Sequence, residues 1–512
     1  MDGMHAASRS VAGWRVRRQS RHAMWATLLS SLMLFVACAS WATSAGAGSP
    51  GSWSDVTGAT GTNLTQVGLV RGPGDVLHVA WVRESVLDPG KDDLVVTALT
   101  AAGARGAVIP VQSGWAVLND PALLWTGAEL QVFFGGIRSA YTGDPVEGLR
   151  WATSPSGSVW ALQPGAIETV IGHYAYGSPV NAVRTPAGGG LPFFTWYGTP
   201  GVFVHRSTSS AAPDYDFHAL IGGTCCGYYS NLGYDPVGDD LWLAWASNAT
   251  GKEGVWVAPV SQATGAPAGG ATLLPSSTTS YGGSPAFSMM LSKVPMTGRP
   301  AGFAGVFVAY PTGYPTMTRV RLWKLMSGAV GSLLVAGGSA AKGEVAVAAD
   351  PVGRVWVVWS QRDGSRARVF ARRSNATVTK LGAPVSVRTP VGTSTVYHLA
   401  AAAQAGRLNV LAHLAGSKPE ATWHTQIKAG LTVSVKPAKI KVGKKAIVKV
   451  TVRDAGTALK GVLVRIGAKK KLTDSSGVAK LTLAARSTPG KVKVKVSKAG
   501  YTSKTVSLRY VR

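Results

Sequence analysis

Two adjacent cysteines, Cys225 and Cys226, carry the most distinctive chemistry in this 512-residue chain. The third cysteine, Cys38, lies in an apolar N-terminal run. In an oxidising compartment, two thiols with no other partner can join each other. Adjacent Cα atoms sit about 3.8 Å apart across a trans peptide, below the roughly 4.4 Å at which ordinary disulfides begin. A Cys225–Cys226 bridge is therefore a strained, rigid ring, comparatively easy to reduce, with a flat polarisable face for a ligand. A reduced pair, or a link between molecules, is the alternative.

Acid–base catalysis has little to work with. Glycoside hydrolysis of the usual kind needs two facing carboxylates. Only 21 Asp/Glu lie between residues 26 and 429, many of them in turns such as Asp92-Asp93 and Asp239-Asp240. Glu84, Asp120 and Asp363 are the ones expected near a shared site. The sequence has no metal-ligand spacing, no phosphate loop and no G-x-S-x-G. It leans away from an enzyme and predicts no catalytic residue, no cofactor and no metal.

A repeated phrase specifies the elements that must position these groups. It reads GPGDVLHVAW at 72–81, DPVGDDLWLAW at 235–245 and DPVGRVWVVW at 350–359, with weaker echoes at 126–134, 189–196, 303–310 and 405–413. Each copy is a Gly/Asp turn followed by alternating apolar residues, which reads as a strand. A recurrence at roughly fifty residues implies stacked copies of one supersecondary unit. The reading is all-β. Seven inner strands centred near Ala80, Phe133, Thr195, Ala244, Val308, Val358 and Leu411 predict a seven-bladed β-propeller, with six blades as the alternative. The propeller is expected over 53–428, with residues 53–57 supplying the last outer strand.

In that architecture, the connections between blades and the loops after the inner strands share one face beside a central channel. Cys225 and Cys226 fall there. So do Trp115, His173, Tyr174, Tyr176, Tyr228, Tyr229, Tyr281 and Tyr397, with Arg83 and Arg362. Aromatic faces and Arg forks converging on a channel mouth make a candidate pocket for a glycan or another small extracellular ligand. Packing between blades is the competing role for each aromatic.

The strands of the form G-x-(x)-[LV]-W-[LV]-[AV]-W, and a degenerate Asp-box TSPSGSVW at 153–160, resemble the sialidase-type, BNR-like propellers. The resemblance covers about residues 60–428. It implies that the box is a structural turn, here with Pro155 in the Asp place. It also implies an Arg-Ile-Pro motif early in blade one for a sialidase. Residues 63–66 read Asn-Leu-Thr-Gln instead, which argues against sialidase catalysis.

Residues 430–512 are a second unit of alternating strands with 21 Lys/Arg against two Asp/Glu, +19 of the chain's +28. They look like a bacterial Ig-like or carboxypeptidase-regulatory-like β-sandwich. Lys491, Lys493 and Lys495 mark one wet, positive face. Such charge predicts adhesion to an anionic cell-envelope polymer, without the aromatic interleaving of a specific nucleic-acid platform.

Residues 1–47 read as a signal peptide: Arg15, Arg17, Arg18 and Arg21, an apolar stretch over 23–39, and Ala45-Gly46-Ala47 as a cleavage site. Cys38 gives a partial lipoprotein box, with Phe35 where Leu is usual. No later segment has the ~18 apolar residues needed to span a bilayer. The expected protein is a secreted or envelope-associated binding protein. A sialidase-like hydrolase or lyase and a protein-binding scaffold are the alternatives.

Overall fold

The computed structural model describes residues 50–58, 66–138, 148–164, 180–186, 192–197, 201–206, 215–222, 227–277, 280–281, 284–285, 293–326 and 329–512. The cleavage site and Cys38 lie outside them. Among the described residues, no helix is long and apolar enough to cross a membrane.

The chain is all-β. The first sheet comprises Gly68–Arg71, Leu77–Glu84, Asp92–Leu99 and Ile109–Trp115, each strand antiparallel to the next. Six more sheets of this up-and-down pattern follow among the described residues. Their first strands are Ala122–Trp125, Asn181–Arg184, Gly227–Asp235, Met296–Gly298, Lys342–Ala349 and Thr393–Gln404. The seventh sheet takes its outer strand from the other end of the chain: Trp53–Asp55 pairs with Ala421–Lys428, Trp53 opposite Thr425. Each first strand packs against the first strand of the next sheet, and Thr393–Gln404 returns to Gly68–Arg71. Radial sheets closed in this way form a β-propeller around a channel.

The repeated phrase is not the channel wall. It forms the second strand of each sheet, as in Leu77–Glu84, Asp240–Ser247 and Val355–Asp363. The strand before it lines the channel, which corrects the assignment of the phrase strands as innermost. The physical reason is burial on both faces. Val79 and Trp81 pack towards the seventh sheet with Leu411, while Ala80 and Val82 pack towards the second with Val132 and Phe134. Strands buried on both sides read as near-continuous apolar runs. Close sheet contact needs glycine at Gly298, where an added Cβ would lie 2.0 Å from the Tyr234 carbonyl oxygen of the neighbouring sheet.

The Asp-box segment is a turn between the third and fourth strands of the second sheet. Ser154 Oγ accepts the Gly157 N–H at 2.8 Å, and Trp160 Nε1 donates to the Gly157 carbonyl at 3.2 Å. Ser154 thus caps the turn without an aspartate, and Gly157 supplies its positive φ of 80°.

Residues 432–511 form two further sheets. One joins Thr432–Lys436, Ala446–Asp454, Thr457–Ala458 and Val478–Leu483. The other orders Lys439–Lys441, Lys504–Val511, Gly490–Ser497, Leu463–Ile466 and Lys469–Leu472. Their apolar faces meet in a core that includes Val448, Val450, Val464, Val494 and Leu508.

This unit is docked and not tethered. Asp454, 1% exposed, takes hydrogen bonds on one oxygen from Arg354 (2.5 Å), Arg373 (2.6 Å) and the Tyr501 hydroxyl (3.0 Å). The Arg373 guanidinium lies 5.3 Å from the Trp356 ring and 5.5 Å from the Tyr501 ring, between the two units. The connecting residues are pinned as well, Ala429 bridging to Tyr501 and Gly430 to Ala383. An added Cβ at Gly430 would lie 2.4 Å from the Ala383 carbonyl oxygen.

Candidate functional site

The seven first strands enclose a cavity of about 320 Å³. Its walls are mostly Val, Leu and Ala, because side chains of seven strands share one narrow axis. Gln66, Asn181, Asn231 and Lys293 interrupt that apolar lining. Gln66 lies two residues before the first strand of sheet one, and Lys293 three before that of sheet five, so both sit at the end where the chain enters each sheet.

Lys293 is the focus of this end. Its backbone N–H donates to Gln66 Oε1 across the channel at 3.0 Å, and its Nζ donates to the Pro121 carbonyl at 3.4 Å. Asn231 Nδ2 donates to the Val294 carbonyl at 2.7 Å. Lys293 is 7% exposed. Burial pulls its ammonium down to about 8, with the nearby Asp120 carboxylate opposing that shift. An ammonium has three donors, so a group entering the cavity meets a buried cation together with three side-chain amides.

Near its start, the first strand of sheet four carries Tyr228 and Tyr229, half-buried, with ring centroids 6.0 Å apart. Tyr229 has a φ of 57°, and its carbonyl accepts the Val294 N–H at 2.7 Å. Burial raises the Tyr229 phenol, and buried Glu344 and Tyr228 add to the shift. On the seventh sheet, His398 lies 5.9 Å from His413, and Tyr397 lies 5.8 Å from the same ring. Burial, reinforced by His413, pushes His398 down to about 3. His413 Nε2 lies 3.3 Å from Glu420. Among the described residues, no group of three or more His, Cys, Asp or Glu could hold a metal ion.

The structure sorts the candidates from sequence unevenly. Cys225, Cys226, His173, Tyr174 and Tyr176 lie outside the described residues, and Tyr281 is placed only as part of the strand Ser280–Tyr281. None of Tyr228, Tyr229 and Tyr397 lines the cavity: Tyr229 packs against the core between sheets four and five, and Tyr397 lies against His413. Trp115 is 1% exposed and meets Phe134 edge-on at 5.5 Å, inside the packing between sheets one and two. Arg83 reaches Asp93 at 3.8 Å, and Arg362 borders a separate groove with Ser360, Ser394 and Thr395.

Among the three carboxylates, Asp120 is beside Lys293. Glu84 instead accepts the Gly90 N–H at 3.2 Å, bracing its own loop. Asp363 is held by Arg368 (2.7 Å) and Arg388 (2.9 Å), and these hydrogen bonds keep it below the usual carboxylate range. Lys293, Gln66, Asn181 and Asn231 were not anticipated. The available signal was a lone lysine in the acid-free run SMMLSKVPM at 288–296.

No protein-family model matches the chain, and no curated protein sequence matches it. Solved structures are similar to it at low identity. A protein of unknown function from Dyadobacter fermentans is 12% identical, covering 61% of this chain and 93% of that one, with a TM-score of 0.38. A polysaccharide lyase is 12% identical over 71% and 90%, with a TM-score of 0.39. A GH43_1 enzyme from Xanthomonas citri, complexed with xylotriose, is 11% identical over 73% and 89%, with a TM-score of 0.34.

Proposed function

We propose that this chain is a secreted binding protein. Its seven-bladed, sialidase-like propeller recognises an acidic glycan at the Lys293 end of the channel. A C-terminal Ig-like domain, 430–512, adheres to anionic polymer of the cell envelope. The observation that carries the glycan reading is the buried cation set among side-chain amides in an otherwise apolar cavity. A carboxylated sugar supplies a charge for Lys293 and hydroxyls for Gln66, Asn181 and Asn231, and the cavity volume falls within the range of small-ligand sites. Tyr228 and Tyr229 offer ring faces to a neighbouring sugar. The paired sulfurs of Cys225 and Cys226 complete the rim in this reading. Alkylation and intact mass test that pair, and two free thiols in the secreted protein would remove it.

The test is an array of neutral and acidic glycans probed with the full mature chain, scored for retention and for cleavage. Retention of uronate- or sialate-bearing glycans is expected, and Lys293→Gln should lower it at least tenfold without lowering the unfolding transition. Retention that ignores Lys293→Gln overturns the assignment. A second reading, catalysis on the same glycan, has one observation in its favour: Asp120, Glu344 and Tyr229 gather near this end of the channel. Cleavage on the array, abolished by Tyr229→Phe or Asp120→Asn, would replace binding with catalysis.

A further inference from the structure

The C-terminal unit places like charges directly opposite one another across strands. On its five-stranded sheet, Arg509 faces Lys439 on one side and Lys491 on the other. On the same sheet, Arg465 faces Lys495 and Lys470. Lys493 stands between Lys491 and Lys495 on their shared strand and joins the two rows. All seven are exposed. Opposed like charges destabilise a sheet, and the usual remedy is a carboxylate on a neighbouring strand. Among the described residues, none of the seven forms an ion pair. The unit's two acids are elsewhere: Asp454 is buried in the joint, and Asp474 turns onto Ser476 and Val478.

The cations form a track. Neighbouring strands lie about 4.8 Å apart, and alternate residues along a strand about 6.7 Å apart. The path from Lys439 through Arg509, Lys491, Lys493, Lys495 and Arg465 to Lys470 therefore steps by roughly 5–7 Å at each residue across all five strands. We infer that this track binds one extended phosphodiester polymer, a polyol phosphate. The inference rests on the adhesion reading above and names its ligand.

Three observations select that chemistry. First, five of the seven cations are lysines, compact point charges that need no planar bidentate partner and so suit the singly charged phosphodiesters of a flexible chain. Second, the track is a single zigzag line, suited to one flexible chain. Duplex DNA packs a charge about every 1.7 Å on a cylinder, which a flat sheet meets along one line only. Third, the face has no aromatic on which a base could stack: Tyr510 is buried and Tyr501 is in the joint.

The test titrates the full mature chain with a synthetic glycerol-phosphate oligomer, with polygalacturonate and with oligo(dT), each from low to high salt. The glycerol-phosphate oligomer should bind tightest, with log K falling against log salt with a slope of about 4–5 for six or seven contacts. The triple change Lys491→Gln, Lys493→Gln and Lys495→Gln should reduce that slope by about 2 and weaken binding at least tenfold, while Lys252→Gln, at an exposed lysine away from the track, lowers the slope by less than about 1. Removing charge relieves repulsion, so the triple variant should unfold no earlier than wild type. Equal or tighter binding of polygalacturonate or oligo(dT), where the triple variant weakens it, overturns the polyol-phosphate assignment and leaves adhesion standing. Failure of all three polymers to bind overturns adhesion itself.

Discussion

Replacing Asp454 with Asn removes one negative charge from the joint while keeping its shape. In the native joint that carboxylate accepts from Arg354, Arg373 and Tyr501 while almost wholly buried. Breaking a buried ion pair from one side leaves the partner's charge uncompensated, at a cost of about 3–5 kcal/mol. Two features favour the lower end. Arg354 is 20% exposed and can recover hydration, and Asp350 remains 3.9 Å from Arg373. A cost of about 3 kcal/mol corresponds to roughly a hundredfold shift in the docking equilibrium. That shift should expose the connecting residues Ala429 and Leu431, each 1% exposed in the docked chain. Limited proteolysis under native conditions reads this opening when cleavage is slow relative to reclosing. Cleavage between the two units should accelerate about a hundredfold in Asp454→Asn. A double-mutant cycle with Arg354→Ala should return a coupling above about 1 kcal/mol. Unchanged cleavage, or energies additive within about 0.5 kcal/mol, would refute the view that this carboxylate holds the units together.

Lys293 gives a stability signature in alkali. The unfolded chain keeps the proton to the ordinary value of 10.5, but the folded chain only to about 8. Between those values the unfolded state binds more protons, so stability rises with pH through that window, by about 3 kcal/mol for this group. Below about 8 the penalty is present in full. Urea midpoints of Lys293→Met should therefore exceed wild type at pH 7, and the difference should vanish as pH approaches 10.5. A difference constant with pH would show that Lys293 is not buried as a cation. At Gly298, alanine drives a Cβ onto the Tyr234 carbonyl. Gly298→Ala should cost about 3 kcal/mol or more, measured by thermal unfolding, and a loss under about 1 kcal/mol would mean that sheets four and five do not approach so closely.

The second strands were the legible part of the fold, because burial on both faces leaves no polar alternation to blur them. Val355, Val357 and Trp359 pack towards sheet five, while Trp356 and Val358 pack towards sheet seven. The channel strands carry a weaker signal. Met296–Gly298 has three residues and Asn181–Arg184 four, each mixing small and polar side chains to fit a crowded axis. A reader of the sequence therefore takes the strongest strand for the innermost one. The site was hidden for a related reason: Gln66, Asn181, Asn231 and Lys293 come from sheets far apart in the chain, and only ring closure brings them together. The joint was equally silent, since its partners Arg354, Arg373 and Asp454 are separated by up to 100 positions.

Local rules and global fold agree along the phrase strands, and such consistency is what lets a sequence specify one structure. They disagree in two places. A lysine is buried in a channel lined mostly by Val, Leu and Ala, and burial weakens its hold on the proton. Arg509 and Arg465 each face two like charges across a sheet that has no exposed acid to separate them. Each departure lowers the stability of the isolated chain: the Lys293 ammonium is buried with the Asp120 carboxylate near it, and the cations of the C-terminal sheet have no acid opposite them. At Lys293 the space admits a small group within a closed ring of strands. On the C-terminal sheet the charges are open to solvent and laid out in a line. The two proposals above therefore rest on surfaces of different shape, a compact one in the channel and an extended one on the tail.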